Sequence, residues 1–234
     1  MAFTFDDLPG TRLRDAADAR AVTASLLRTI SVHRIPAIGF VNEGKLDADP
    51  ALQETLTKAL AAWRDAGADL GNHTYSHMRF YGATLEEMQA DVLRGERVTS
   101  RLLGRRPKYF RHPTLNTGRS RAAKTAFERF LAHNGYRIAP VTIDNDEYLY
   151  ALAYDRARGE GDAARMARIG ADYIRYMEEI FAFFEALSRD FLGREPPQVL
   201  LLHANALNAE YLDELVAMVA RRGYRFVSLG AALE

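Results

Sequence analysis

The chain has 234 residues, 48% of them hydrophobic, enough for a single large α/β domain with a sizeable core. Its 31 basic and 31 acidic residues balance, so neither a nucleic-acid surface nor a polyanion binder is expected. There is no Cys, which excludes disulfides and thiol chemistry, and no apolar run approaches the roughly 18 residues of a membrane span. The chain opens on an expected strand, Ala2–Asp6, with no signal-peptide pattern ahead of it. A helix follows, with Val22, Leu26, Leu27 and Ile30 on one face, and then a strand over Ala37–Val41. Leu52, Leu56, Leu60 and Trp63 mark a second helix, and Ala68–Gly71 a third strand. Gly71-Asn72 reads as a turn, which puts His73 and His77 on the loop after that strand. Thr84 and Glu87 form a capping box that opens a helix through Leu102, closed by Gly104. Strands are expected over Tyr109–Arg111 and Arg137–Ile143.

Between Tyr148 and Pro196 no strand pattern occurs. After a Gly159–Gly161 break, Ile169, Tyr173, Tyr176, Ile180, Phe184, Leu187 and Phe191 recur at three- and four-residue steps. That is one long amphipathic helix, either packed on the barrel or serving as a lid or a dimer contact. Gln198–His203 is the most apolar strand. A helix striped by Leu212, Leu215, Val216 and Val219 and a last strand, Arg225–Ser228, complete the chain.

Seven strands alternating with helices predict a largely parallel sheet, either a barrel or a doubly wound sheet. Asp6, Asp7, His73, Arg111, Asp144 and His203 all fall at C-terminal strand ends. A barrel gathers such ends around one mouth, so a seven-stranded, incompletely closed barrel is the expectation.

Adjacent carboxylates repel, and strand neighbours point to opposite faces, so Asp6 and Asp7 reach one mouth only where the backbone turns. One division of labour makes Asp7 a metal ligand and Asp6 a base; the alternative is a turn before Pro9-Gly10. With His73 and His77, Asp7 completes the ligand set of a hydrolytic zinc centre with an open position. Arg111 could hold a catalytic carboxylate in a bidentate pair. His203 is either a core histidine or a general acid at the mouth. One of Asp144, Asp146 and Glu147 could pair with Arg111 or His203. His33 and His133 lie near helix C-termini, where a cation is favoured, and read as structural.

In this order the segments resemble the polysaccharide deacetylases, the fourth carbohydrate esterase family with the NodB homology domain. Five motifs carry the resemblance: Thr4-Phe5-Asp6-Asp7, Asn72-His73-Thr74-Tyr75-Ser76-His77, Arg111 with Pro113, Asp144 to Tyr148, and Leu201-Leu202-His203. The resemblance implies a distorted (β/α)7 barrel, incompletely closed, over residues 1–234; the long helical insertion at 149–196, before the penultimate strand, is read from this chain's own pattern. It implies Asp7, His73 and His77 as ligands of a divalent metal, foremost Zn2+, with Co2+, Mn2+ or Ni2+ as alternatives. Asp6 would be the base, His203 the acid, Arg111 the residue orienting the base, and Glu147 or Asp144 the supporting acidic residue. Pro113, Thr114, Tyr148 and Leu201 would contact substrate, with the Thr114 N–H on the oxyanion.

The implied activity is metal-assisted removal of acetyl groups from an acetylated oligo- or polysaccharide, in an extracytoplasmic setting; the stripe of the 162–191 helix offers a candidate surface for self-association. Alternatives are a non-carbohydrate amide or ester substrate, a non-catalytic carbohydrate-binding relative, or an Fe(II) oxygenase using the same ligand set. The chain departs from the family pattern at Leu8, where glycine is usual, at His112 and Thr114, at Glu147-Tyr148 in place of Asp-Trp, and in the insertion.

Overall fold

The computed structural model describes residues 1–234. Six parallel strands curl into one sheet: β1 (Ala2–Leu8), β2 (Ile38–Val41), β3 (Asp69–Asn72), β4 (Tyr109–Phe110), β5 (Arg137–Ile138) and β6 (Val199–His203), in the order β5-β4-β3-β2-β1-β6. The helices are α1 (Ala16–Val32), α2 (Gly44–Asp47), α3 (Gln53–Asp65), α4 (Leu85–Arg94), α5 (Arg97–Leu103), α6 (Arg121–His133), α7 (Glu147–Glu160), α8 (Ala163–Leu192), α9 (Ala206–Arg221) and α10 (Leu229–Ala232).

Strand alternation separates two interiors. On β1, Phe3 and Phe5 face the helices, and on β6 so do Leu200 and Leu202; they join Leu26, Ile30, Leu60, Trp63, Leu215 and Val219 in the main core. Each such fully buried side chain stabilises the fold by roughly 1.5–3 kcal/mol. Residues of the opposite parity, Ala2, Ile38, Phe40, Tyr109 and Val199, fill the barrel floor. Above that floor the same parity delivers polar groups: Thr4 and Asp6 on β1 and His203 on β6, with Asp6 and His203 in register.

The expected strand Arg137–Ile143 forms in two pieces. Beyond β5 comes Pro140, which has no N–H to give a ladder. The chain then crosses to the far edge, where Ile143 pairs with Leu200 and the N–H groups of Thr142 and Ile143 reach Val199 O at 3.0 and 3.1 Å. This single bridge is what draws the open sheet toward a barrel. The distorted, incompletely closed (β/α) barrel is therefore the observed architecture.

The expected strand Arg225–Ser228 does not form. Both edges of β1 are already taken by β2 and β6, so this segment finds only Met1: Val227 N–H donates to Met1 O, and the Met1 amino group to Arg225 O. Ser228 then caps α10.

The helix expected from Thr84 to Leu102 also divides. Its capping box forms as expected, but Gly95 ends α4. A Cβ there would lie 2.5 Å from Thr74 C and Tyr75 N, so glycine lets the loop after β3 press against the helix. That loop starts one residue later than the expected turn, because Asn72 is still in β3.

The insertion is two antiparallel helices, α7 and α8. Tyr173, Met177 and Phe181 of α8 enter the main core, and α8 packs on α7 and α9. Its outer residues Phe183, Leu187, Phe191 and Leu192 are exposed, the surface on which the expected self-association rests. No helix is long and apolar enough to cross a membrane.

Candidate active site

At the end of β1 the ladder slips between Phe5 and Leu8, and Asp7 takes φ 67°. This bulge cancels the alternation of neighbours and brings both carboxylates to the mouth. Leu8, where the family pattern has glycine, is fully buried against β2. Gly39 makes the room, since a Cβ there would fall 1.9 Å from Leu8 Cδ1. Lys45 secures the loop by donating to Asp7 O at 2.8 Å and Gly10 O at 3.2 Å, with its ammonium 3.7 Å from Asp7 Oδ2.

The loop after β3 is shaped by a side chain. Asn72 Oδ1 accepts the Thr74 N–H at 2.7 Å, holding Thr74 at φ 65°, and His77 follows at φ 58°. Left-handed conformations at non-glycine residues cost free energy and cluster at functional sites. Here Asp7, Arg12, His77, Thr114 and Leu115 all adopt them and all line one cavity of about 720 Å³.

In that cavity Asp7 Oδ1 lies 3.4 Å from His77 Nε2 and 3.9 Å from His73 Nε2, and the three candidate ligand atoms lie within 4.8 Å of one another. Ligands about 2.1 Å from one tetrahedral zinc ion would stand about 3.4 Å apart, so the spacing suits such an ion. Two further observations fit a metal. Asp7 Oδ1 is buried without a hydrogen-bond partner. The His73 Nδ1–H donates to Arg111 O at 2.8 Å, which fixes the tautomer and leaves the Nε2 lone pair facing the cluster. Burial pushes His73 down to about 4 against the pull of Asp6 and Asp7, so its ring is neutral at pH 7. Burial also lowers His77. Burial would raise the Asp7 carboxyl, but Lys45 and the two imidazoles hold it below its ordinary value.

Asp6 is buried beside this cluster and pairs with Arg111, whose Nη1 lies 3.1 Å from Asp6 Oδ1. Arg111 is fully buried and every arm is engaged: Nε donates to Ala139 O at 2.8 Å, Nη2 to Thr4 Oγ1 at 3.1 Å, and the guanidinium lies 4.6 Å above the Phe40 ring. Arg111 thus holds the Asp6 carboxylate in a buried ion pair.

Opposite, His203 Nδ1–H donates to Glu147 Oε2 at 2.7 Å. Burial alone would lower the His203 imidazolium; the Glu147 charge and hydrogen bond reverse this and raise it to about 9. Glu147 is fully buried, and its Oε1 accepts from the side-chain amides of Asn205 and Asn208. Asp144, the other candidate support, is exposed and hydrogen-bonds only the N–H of Asn145. Of the acidic cluster, Glu147 begins α7 and faces inward to His203, whereas Asp144 and Asp146 stay on the cavity rim.

Thr114, Tyr148 and Leu201 line the cavity as expected. Pro113 does not: it is buried and opens the short turn that carries Thr114 at φ 53°. His112, packed against the rings of Phe110 and Phe127, is pushed down to about 4 by burial. His33, paired with Asp213 at 2.6 Å, and His133, at the end of α6, are far from the mouth in role and structure. Sequence reasoning missed Lys45, Asn205 and Asn208. The only signal for the asparagines was the Asn205-x-x-Asn208 pattern directly after His203, which reads as an ordinary helix cap.

A family model described as polysaccharide deacetylase matches residues 1–129. Over 113 residues, 48% of the chain, the sequence is 27% identical to a peptidoglycan-N-acetylglucosamine deacetylase of Bacillus cereus. That match takes in 35% of the relative's length, about a third. Among solved structures, a family 4 carbohydrate esterase from Streptomyces lividans, in complex with acetate, superposes with TM-score 0.60 at 18% identity, covering 95% of this chain and 88% of that one. A CE4 family pseudoenzyme from Bacillus anthracis superposes with TM-score 0.62 at 14% identity, covering 100% of this chain and 64% of that one. At these identities the structural likeness speaks for the fold.

Proposed function

Because the chain belongs to the polysaccharide deacetylase family, whose model it matches over residues 1–129, we propose that it is a metal-dependent hydrolase that removes acetyl groups from an N- or O-acetylated carbohydrate. The observation that carries this reading is the convergence of Asp7, His73 and His77 between two supported titratable groups, Asp6 on Arg111 and His203 on Glu147. Asp7, His73 and His77 would hold the metal, with zinc the first choice from two imidazoles and a carboxylate. A divalent ion bound there would lower the pKa of a water and polarise the acyl oxygen.

The chain's own residues supply the rest. Asp6, held by Arg111 with its carboxylate at the mouth, accepts the proton of the attacking water. The Thr114 N–H, presented by its left-handed turn, donates to the oxyanion. His203 enters the cycle protonated, because Glu147 keeps it so, and donates to the departing nitrogen or oxygen. Its Nδ1–H is committed to Glu147, so the proton given up is the one on Nε2. Tyr148 and Leu201, which line the cavity, border the sugar. A glycan substrate of this kind puts the reaction on the extracytoplasmic side.

The test is acetate release from N-acetylated chito-oligosaccharides and peptidoglycan fragments and from O-acetylated xylo-oligosaccharides, with added zinc and after chelation. Zinc-dependent release, abolished by Asp6→Asn and His203→Ala without loss of bound zinc, is the expected result. Release only from non-carbohydrate amides or esters would overturn the sugar assignment. Binding of glycan without turnover on any substrate would overturn the hydrolase.

A further inference from the structure

The support behind His203 does not stop at Glu147. Asn208, fully buried at the start of α9, donates from Nδ2 to Glu147 Oε1 at 2.6 Å and to His203 O at 2.8 Å. Its Oδ1 accepts the hydroxyl of Tyr173, on α8, at 2.8 Å. Tyr173 is fully buried too. An amide can present either its oxygen or its nitrogen to a neighbour. Glu147 Oε1 and the His203 carbonyl can only accept, so Nδ2 faces them, and the Tyr173 hydroxyl is the donor that satisfies the Oδ1 on the far side. One turn further along α8, the Tyr176 hydroxyl accepts the Asp146 N–H at 2.7 Å, at the start of the helix that carries Glu147. Helix α8 thus braces the neighbours of the His203–Glu147 pair at two points, Asn208 and Asp146, while lending no residue to the cavity lining.

We infer that Tyr173 and Asn208 are positioning residues for His203, and that the inner face of α8 exists to hold the proton donor in line rather than to cover the site. The inference rests on reading His203 as the donor. The physical argument is the cost of leaving a buried polar group unpaired. Without the Tyr173 hydroxyl, Asn208 Oδ1 loses its only side-chain donor. That buried oxygen is left without a donor, and the amide tilts to find one, loosening its Nδ2 bond to Glu147. Glu147 in turn relaxes its hold on the His203 Nδ1–H, and the ring is no longer fixed. The other charged groups near His203 are Asp6 and Asp7 of β1 and His77 of the loop after β3. None of them contacts Tyr173 or Asn208 in the bonds described, so the effect of these substitutions runs through Glu147.

The experiment compares the wild type with Tyr173→Phe and Asn208→Ala, using Tyr154→Phe as a control for loss of the hydroxyl from another buried tyrosine of the same helical pair. Proton–nitrogen NMR of the imidazoles, recorded without substrate, reads the His203 Nδ1–H directly as a downfield, exchange-protected proton. The expected result is that this signal is present in the wild type and in Tyr154→Phe, and lost or moved upfield in both test variants. In zinc-loaded enzyme kcat should fall on the order of ten-fold or more in the test variants, with KM changed by less than about two-fold. If both variants lower the melting temperature yet keep the Nδ1–H signal and kcat, the two residues are merely structural and the inference is overturned. If the signal responds as expected but no acetylated substrate is turned over by the wild type, the proposed function fails while the positioning network stands.

Discussion

Replacing Glu147 by Gln removes one negative charge from a fully buried pair and leaves its shape intact. In the wild type His203 is raised to about 9 by Glu147 against burial. Relative to an ordinary imidazole near 6.5, that displacement corresponds to roughly 3 kcal/mol of preference for the protonated ring. With the amide in place the burial penalty acts unopposed by Glu147, and the ring should titrate far lower. In zinc-loaded enzyme the alkaline limb of the kcat/KM profile should then lie at higher pH in the wild type than in Glu147→Gln, which should lose activity toward neutrality. Linkage gives a second reading that needs no substrate. A raised folded-state pKa stabilises the fold fully below the unfolded value near 6.5, and that contribution is lost as pH rises through about 9. Urea unfolding of the wild type at about pH 6 and about pH 10 should differ by roughly 3 kcal/mol from this group, and Glu147→Gln should lack that difference. An alkaline limb that stays at its wild-type position in the variant would refute the account of His203.

Three other outcomes are expected. Arg111→Met leaves Asp6 buried without its cation and should lower stability by about 3–5 kcal/mol, measured by urea unfolding, while zinc still binds. Gly95→Ala would drive a Cβ into the backbone of Thr74 and Tyr75, between the two histidines. It should cost about 1–3 kcal/mol and weaken zinc affinity in chelator competition, although no ligand is changed. Chelation of the zinc-loaded protein should abolish turnover but leave the circular dichroism unchanged, because the ligand loops are held without the ion by Asn72, Lys45 and Arg111. Collapse of the fold on chelation would show that these protein contacts are insufficient.

Much of the site was legible because its residues sit at strand ends in short motifs. A motif at the end of a parallel strand fixes both a residue type and its place on the rim, so Asp7, His73, His77, Asp6, Arg111 and His203 could be named before any contact was known. The fold class followed from the alternation of strand and helix patterns in the same way. The seventh strand was not legible. Its apolar pattern at Arg225–Ser228 is sound, but whether a segment pairs depends on a free edge, and β1 had none. The break at Pro140 hid the return of the chain to β6, since the apolar run on either side of it reads as one strand.

The sequence by itself determined which chemical groups are present, the strand parity that points Asp6 and His203 inward, and the family to which they belong. Tertiary structure alone separated the acidic residues of the Asp144–Glu147 cluster, burying Glu147 against His203 and leaving Asp144 and Asp146 on the rim. It did so because burial and partner geometry depend on where α7 starts relative to α9, which no spacing records. It also decided how two adjacent aspartates share one mouth, through the left-handed turn at Asp7 that Lys45 and Gly39 make room for and hold. The role of the insertion belongs to the same class: a periodic stripe tells a helix which face to bury, and only packing says that Tyr173 on that face meets Asn208.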